Sequence, residues 1–232
     1  MTSLVLAAGC FVALHLGVAG SRLRDALVGR LGESRYLGLF SLASLLGLVW
    51  LTTAYADAPI VVTWGRLPAL RPVAILVVLL AFLLAVPGLT TPSPTAVGGE
   101  AALDAEEPAV GIQRVTRHPF LWGVTLWAAV HLVVNGHVKA LVLFGALLVL
   151  GVTGPRSIDA KRARRFGARW TRYAAVTSSL PFLAIAERRN RFRPGEIGWG
   201  RVGFTLVVFA VVLLLHPLLF GANPLGFLVR AR

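Results

Sequence analysis

The chain is poor in charge. Only 14% of its 232 residues are Asp, Glu, Lys or Arg, where a soluble domain carries about a quarter. Cysteine occurs once, at Cys10, which excludes an intramolecular disulfide and a cysteine-cluster metal site; Cys10 reads as a small apolar residue inside a helix. No Lys or Arg precedes Arg22, so the first apolar run lacks the basic start of a signal peptide and is read as a retained span with its N-terminus outside. Two-residue alternation is missing, which excludes a membrane β-barrel. There is no Ser-His-Asp set, phosphate-binding loop or carboxylate cluster. What is present is apolar surface, with 56% hydrophobic residues and a mean hydropathy of +0.76.

Six runs are long enough, or nearly so, to cross a bilayer: Ser3–Gly20, Tyr36–Ala56, Pro72–Leu89, Pro119–Asn135, Val138–Gly154 and Val202–Phe220. The expected fold is an all-α polytopic membrane bundle of about six transmembrane helices. The fourth and fifth runs are separated only around Gly136, which predicts a tight helical hairpin. The basic residues fix the orientation. With the N-terminus outside, 18 of the 23 Lys and Arg face the cytoplasm, and Arg66, Arg71, Lys139, Arg230 and Arg232 face outward. The net charge of +13 therefore reflects topology and anionic lipid headgroups at the cytoplasmic face, not nucleic acid.

Two cytoplasmic loops follow from this arrangement. Thr90–Thr116 is rich in Pro, Gly and small residues and reads as a flexible connection, with Glu100, Asp104, Glu106 and Glu107 solvated. Ile158–Tyr173 carries a basic face with Phe166, Trp170 and Tyr173 at helical spacing. It predicts an interfacial cytoplasmic helix with its arginines toward lipid. Ser179–Ala186 is apolar but too short to span, and reads as a segment dipping into the membrane. Asp25 and Glu33 are expected to pair with the arginines of the first loop.

Histidine inside lipid is expensive and marks function. His15 lies among Leu14, Leu16 and Val18, and His131 between Val130 and Leu132. Two intramembrane imidazoles on separate helices meet the minimum for axial ligation of a haem. The alternative is that each hydrogen-bonds a helix carbonyl or a Ser/Thr hydroxyl. At 1.5 Å per residue His131 lies roughly 18 Å from the cytoplasmic end of its span and His15 roughly 8 Å. Arg117 and His118 sit at the mouth of the fourth run and present donors to an anionic ligand, while Pro119 suits the first helical turn. His137 and His216 read as structural.

The blocks HLGVAGSRLRDALVGRLGESRYLGLFSLASLLGL, RHPFLWGVTLWAAVHLVVNG and LFGALLVLGVTGPRSIDAKRARRFG resemble the NnrU family of bacterial membrane proteins. The resemblance covers residues 1–190, leaving 191–232 as a C-terminal cytoplasmic linker and last transmembrane helix. It implies a plasma-membrane protein linked to nitrogen-oxide (denitrification) metabolism. Its relatives, the 15-cis-zeta-carotene isomerases, share the H-x-G-x-A-x-x-R block, here His15, Gly17, Ala19 and Arg22. They also share an RHP triplet with a histidine 13 residues beyond His118, here His131. That likeness implies a haem b with His15 and His131 as metal ligands, an apolar lipid or polyene substrate, and isomerase activity. On the haem reading, Arg22, Arg24 and Arg117 neutralise the propionates. The RHP entry, with Phe166, Gly167, Trp170 and Tyr173, is also similar to isoprenylcysteine and phospholipid methyltransferases, but Asp159 and Lys161 flank the place of their paired glutamates. S-adenosylmethionine-dependent methyl transfer and a non-catalytic membrane scaffold are the alternative functions.

Overall fold

A computed structural model describes residues 1–227; Arg230 and Arg232, both assigned to the outer side by the charge count, lie outside them. The described residues form helices, 3₁₀ turns and one isolated β-bridge, with no strand among them. Five helices are long and apolar enough to cross a membrane: Thr2–Ala19, Glu33–Asp57, Pro68–Thr90, Val138–Phe166 and Trp199–Phe220. The sixth expected span, Pro119–Asn135, is an apolar helix of 17 residues. The helices are α1 (Thr2–Val12), α2 (Arg22–Leu31), α3 (Glu33–Asp57), α4 (Arg71–Thr90) and α5 (Pro119–Asn135). They continue with α6 (Val138–Phe166), α7 (Ala168–Val176), the single turn α8 (Leu183–Ala186) and α9 (Trp199–Phe220). The chain divides into two compact units.

The first unit comprises Met1–Leu67 and Ala128–Ser157. On α1, Leu4, Ala7, Ala8 and Phe11 are buried, the i, i+3, i+4, i+7 stripe of a helix face turned to a partner. That partner is α3. The Trp50 indole donates to Ser3 Oγ at 3.1 Å, and Gly47 leaves room for the Phe11 ring, which a Cβ there would meet at 3.2 Å. After Val12 the helix widens into a π-helical stretch, Ala13–Ala19; such stretches gather at functional sites. Ser21 then caps α2, its hydroxyl accepting from the Leu23 N–H. The expected hairpin joins α5 to α6. Gly136 turns with φ +47°, a conformation glycine adopts without strain. The His137 Nδ1 accepts from the Ala140 N–H at the start of α6. The segment after α3 folds over this turn: Thr63 and Gly65 donate to the Gly136 carbonyl, and the Trp64 indole donates to the Val133 carbonyl.

The second unit comprises Pro68–Trp127 and the chain from Ile158 onward. Helix α4 packs on α9, with Phe82 edge-on to Phe209 at 5.6 Å. It also meets α5 closely, since a Cβ added at Gly123 would lie 2.7 Å from the Ala81 carbonyl oxygen and 2.8 Å from Ala85 Cβ. Small residues that let backbones approach are the usual device of membrane helix pairs.

Here the two loops expected at the cytoplasmic face depart from expectation. The 91–116 segment is folded, with 3₁₀ turns at Glu100–Asp104 and Gly111–Arg114. Leu103 and Ala109 form a core with Trp170 and Tyr173 of α7. Three of its acids are ion-paired: Glu100 with Arg162, Asp104 with Arg169, and Glu107 with Arg114 and Arg193. The aromatics of 166–173 therefore turn into a protein core, and several of the arginines expected at lipid meet carboxylates instead. The basic segment is also not one helix. Helix α6 runs on to Phe166, and Gly167, at φ +49°, breaks it from α7. The 179–186 segment makes only the turn α8, with Ala184 buried.

Candidate functional site

The π-helical stretch carries His15. Its Nδ1 lies 2.8 Å from the Phe11 carbonyl oxygen. A carbonyl only accepts, so the proton sits on Nδ1, which makes the helix-carbonyl bond named as the alternative to ligation, and the lone pair on Nε2 is left over. This is the way metal-binding imidazoles are usually oriented, one nitrogen anchored to the backbone and the other presented. The half-buried ring lies between two aromatics, 4.4 Å from the Phe11 centroid and 5.4 Å from that of Phe40 on α3.

His131, on α5, belongs to the same unit. Its ring packs on Phe144 of α6 at 5.0 Å, and its carbonyl accepts from the Asn135 amide. Phe144 in turn meets Tyr55, near the outer end of α3. Counted along α3, Phe40 beside His15 and Tyr55 beside Phe144 are ~22 Å apart. The two histidines thus sit at different depths, as their positions in the sequence imply.

Of the arginines, Arg22 opens α2 and is exposed. Arg24 is drawn in, its side chain 12% exposed, pairing with Glu33 at 3.1 Å and Asp25 at 3.6 Å. Both acids therefore pair in the first loop, as expected. The Arg24 guanidinium also lies 5.4 Å from the ring centroid of Tyr36. Tyr36 is a residue the sequence reading passed over. It is 4% exposed and stacks on Phe40 at 5.9 Å. Its place, four residues before Phe40 on one helix face, was the available signal.

Arg117 and His118 lie in the second unit, where they share one carboxylate. Arg117 Nε reaches both Asp159 oxygens at 3.1 and 3.0 Å, and His118 Nε2 lies 2.7 Å from Asp159 Oδ1. A further Arg117 donor goes to the Thr177 carbonyl, and the backbone N–H of Arg117 goes to Ser178. The His118 side chain is 1% exposed. The anion these donors meet is thus internal, the acid of α6 that sequence reading noticed only for departing from another family's motif. The remaining histidines hold backbone: His137 caps α6 and His216 bonds the Ala222 carbonyl.

Beside Phe11 an apolar cleft of about 460 Å³ runs between α1 and α3, lined by Cys10, Phe11, Leu14, Leu46, Gly47 and Trp50. Among the described residues no cluster of three or more His, Cys, Asp or Glu side chains is placed to hold a bare metal ion.

Apolar helices of spanning length, folded connections and imidazoles set inside helices define a multi-pass α-helical membrane protein. Comparison with protein families gives the particular one: the chain belongs to the NnrU family, whose model, described as NnrU protein, matches residues 3–224. It is similar to the chloroplastic 15-cis-zeta-carotene isomerase of Arabidopsis thaliana, with 32% identity over 80 residues, 34% of this chain and 22% of that enzyme. The matched stretch thus spans about a fifth of the relative's length. No solved structure matches.

Proposed function

We propose that this protein binds a b-type haem in the plasma membrane at His15, and acts on an apolar substrate that arrives through the bilayer. The observation that carries the reading is the His15 imidazole, anchored at Nδ1 by the Phe11 carbonyl and left with its Nε2 lone pair. Its setting inside a π-helical stretch and between two phenylalanine rings supports the same reading. The donors fit the group: neutral imidazoles are haem-iron ligands, and an apolar shell tunes the iron's potential. When bound, the haem supplies redox or Lewis-acid chemistry at its iron. The protein's own contribution is to fix the His15 tautomer, exclude water with Phe11 and Phe40, and offer an apolar approach.

The substrate class follows from that approach. The cleft beside Phe11 is apolar and lies on helices that cross the membrane, which suits a polyene or similar lipid better than a charged metabolite. Similarity to a zeta-carotene isomerase supports isomerisation of such a polyene. The family's link with nitrogen-oxide metabolism supports redox use of the same haem.

The test is an absorption spectrum of the detergent-purified protein, oxidised and then dithionite-reduced, with a pyridine haemochrome assay. The expected result is a b-type spectrum near one haem per chain, lost or changed in coordination in His15→Ala and unaltered in His131→Ala. A colourless protein from cells supplied with haem precursor ends the reading. Full retention of unaltered haem by His15→Ala ends the ligand assignment.

A further inference from the structure

Among the described residues, two that are not glycine have a positive φ: Phe182 at 64° and Arg188 at 58°. Both lie in the second unit, on the connection from α7 to α9. Side chains are held in that conformation only where their surroundings dictate it. Here the surroundings do. The Phe182 N–H donates to the Val115 carbonyl at 2.8 Å, and the Thr116 hydroxyl donates to the carbonyls of Ser178 and Ser179. The Ser178 hydroxyl donates to the Leu180 carbonyl and accepts from the Ala184 N–H. The polar backbone of this loop is thus turned inward and its large side chains outward. Leu180, Phe182 and Phe192 are 54%, 53% and 46% exposed. Phe182 and Phe192 meet edge to face at 6.2 Å, so residues ten apart form one apolar knob. Protein surfaces seldom gather such side chains without something to cover them.

The level of the knob is set by helices of spanning length. Helices α4 and α9 are antiparallel: Phe82 meets Phe209, and a Cβ on Gly226, just past α9, would lie 3.3 Å from the Arg71 guanidinium that opens α4. Phe82 stands ~12 Å before the end of α4 and Phe209 ~15 Å after the start of α9. Those two ends are therefore level to within ~3 Å. The residue at the start of α9, Trp199, is 77% exposed, a tryptophan placed as membrane-interface belts place them. The first turn of α5 abuts the same end, since a Cβ on Gly88 of α4 would lie 2.9 Å from both the Phe120 nitrogen and Pro119 Cγ. From that turn the Trp122 indole donates to the Ser179 carbonyl at 2.6 Å. The knob is held where hydrocarbon gives way to headgroups.

Two cations complete it. Arg188 and Arg191 are exposed and form no ion pair among the described residues. Their neighbours are committed, Arg189 to Glu187 and to the carbonyls that close α7, and Arg193 to Glu107 and Glu196. Apolar side chains at the boundary with free guanidiniums beside them complement a leaflet, whose acyl chains lie under a layer of phosphates.

We propose that this loop is a lipid anchor. Leu180, Phe182 and Phe192 insert into the leaflet at the α4–α9 end of the second unit, cytoplasmic in the expected orientation, and Arg188 and Arg191 bind the phosphates of anionic lipid headgroups. The anchor does not span; it is a turn clamped to the entry of α5, and it ties the folded 91–116 connection to the membrane surface. It does not depend on haem.

The experiment uses the full chain in a Cys10→Ala background, with a nitroxide label at Leu180→Cys, Phe182→Cys or Phe192→Cys, so that one misfolded variant does not decide the matter. Val207→Cys, exposed along α9, and Glu106→Cys, exposed in the 91–116 connection, are the lipid and water references. Each protein is reconstituted into phosphatidylcholine vesicles with or without phosphatidylglycerol. Collision of the label with oxygen and with a water-soluble nickel chelate is then read by electron paramagnetic resonance. The expected oxygen-to-nickel ratio at the loop sites is severalfold above that at Glu106→Cys and approaches that at Val207→Cys. Phosphatidylglycerol raises it further, and Arg188→Gln with Arg191→Gln removes that increment. Nickel access at the loop sites equal to that at Glu106→Cys overturns the anchor. Shielding from both reagents overturns it too, because a second copy or another protein then covers the knob. An increment that survives the loss of both arginines overturns their assignment to headgroups.

Discussion

At the scale of single residues, the first unit is built around His15 and the second around Asp159. Asp159 is 19% exposed and accepts from both Arg117, 15% exposed, and His118, 1% exposed. Burying these charges is tolerable only because each has the others. Asp159→Asn keeps the shape and removes the charge, leaving a guanidinium with no counter-ion in a sheltered site. A loss of about 3–5 kcal/mol is the expected consequence, read as a lower melting temperature of the detergent-purified protein. The Arg169–Asp104 pair is the comparison, its side chains 45% and 63% exposed. Arg169→Ala costs about 0–1 kcal/mol. If the two variants melt alike, the Arg-His-Pro triplet is not the fixed mouth of α5 that its hydrogen bonds describe.

At the scale of elements, what could be read in advance was what depends on neighbours in sequence. Apolar runs of bilayer length become helices wherever they occur, and Gly136 between two of them makes a turn. Both features need only local chemistry. The folding of 91–116 was hidden because its cause is remote: Glu100 meets a partner 62 residues on, and Arg114 meets Glu196 82 residues on. Read alone, Pro, Gly and isolated acids look like a flexible linker. The same is true of the site. His15 was legible as an imidazole in an apolar span, and its Nδ1 bond to the Phe11 carbonyl is local, whereas the Phe40 ring beside it arrives only once α1 and α3 are packed. The charge pairing of the loop has a pH signature. The Arg114 guanidinium, with the Gly111 N–H and Arg193, holds the Glu196 carboxyl down at about 2, against an ordinary 4.5. A lowered carboxylate contributes stability that is fully present above its unfolded value and lost as pH falls toward the folded one. Wild type is therefore expected to lose stability relative to Glu196→Gln as pH drops from about 5 toward 2. The difference between their melting temperatures should be largest near neutrality. A difference that does not change across this window would show that the Arg114–Glu196 pair does not hold the loop.

At the scale of the whole molecule, the charge distribution specifies which way the chain lies. The stretches Arg114–Arg117 and Arg156–Arg201 hold 13 of the 21 arginines, and the segment between α3 and α4 holds Arg66 alone. Short basic connections tend to stay on the cytoplasmic side, so the expected orientation takes α5 and α6 out and back as a hairpin with the N-terminus outside. The shortest of the apolar helices expected to span is α5, whose 17 residues reach ~25 Å, somewhat short of a hydrocarbon core of about 30 Å. The small Gly123 against Ala81 and Ala85 packs its inner half on α4. At the far end the Gly136 carbonyl is bound by Thr63 and Gly65, from the segment that follows α3. With α3 ending on the outer side, as the charge count predicts, that bond predicts the hairpin tip there too and α5 as a crossing helix. The single native cysteine makes this directly measurable. In a Cys10→Ala background, Asp57→Cys is expected to react with a membrane-impermeant maleimide on intact cells. Glu106→Cys should react only after the membrane is permeabilised. The reverse pattern would invert the assigned orientation, and labelling of Glu106→Cys on intact cells alongside Asp57→Cys would mean that α4 does not cross.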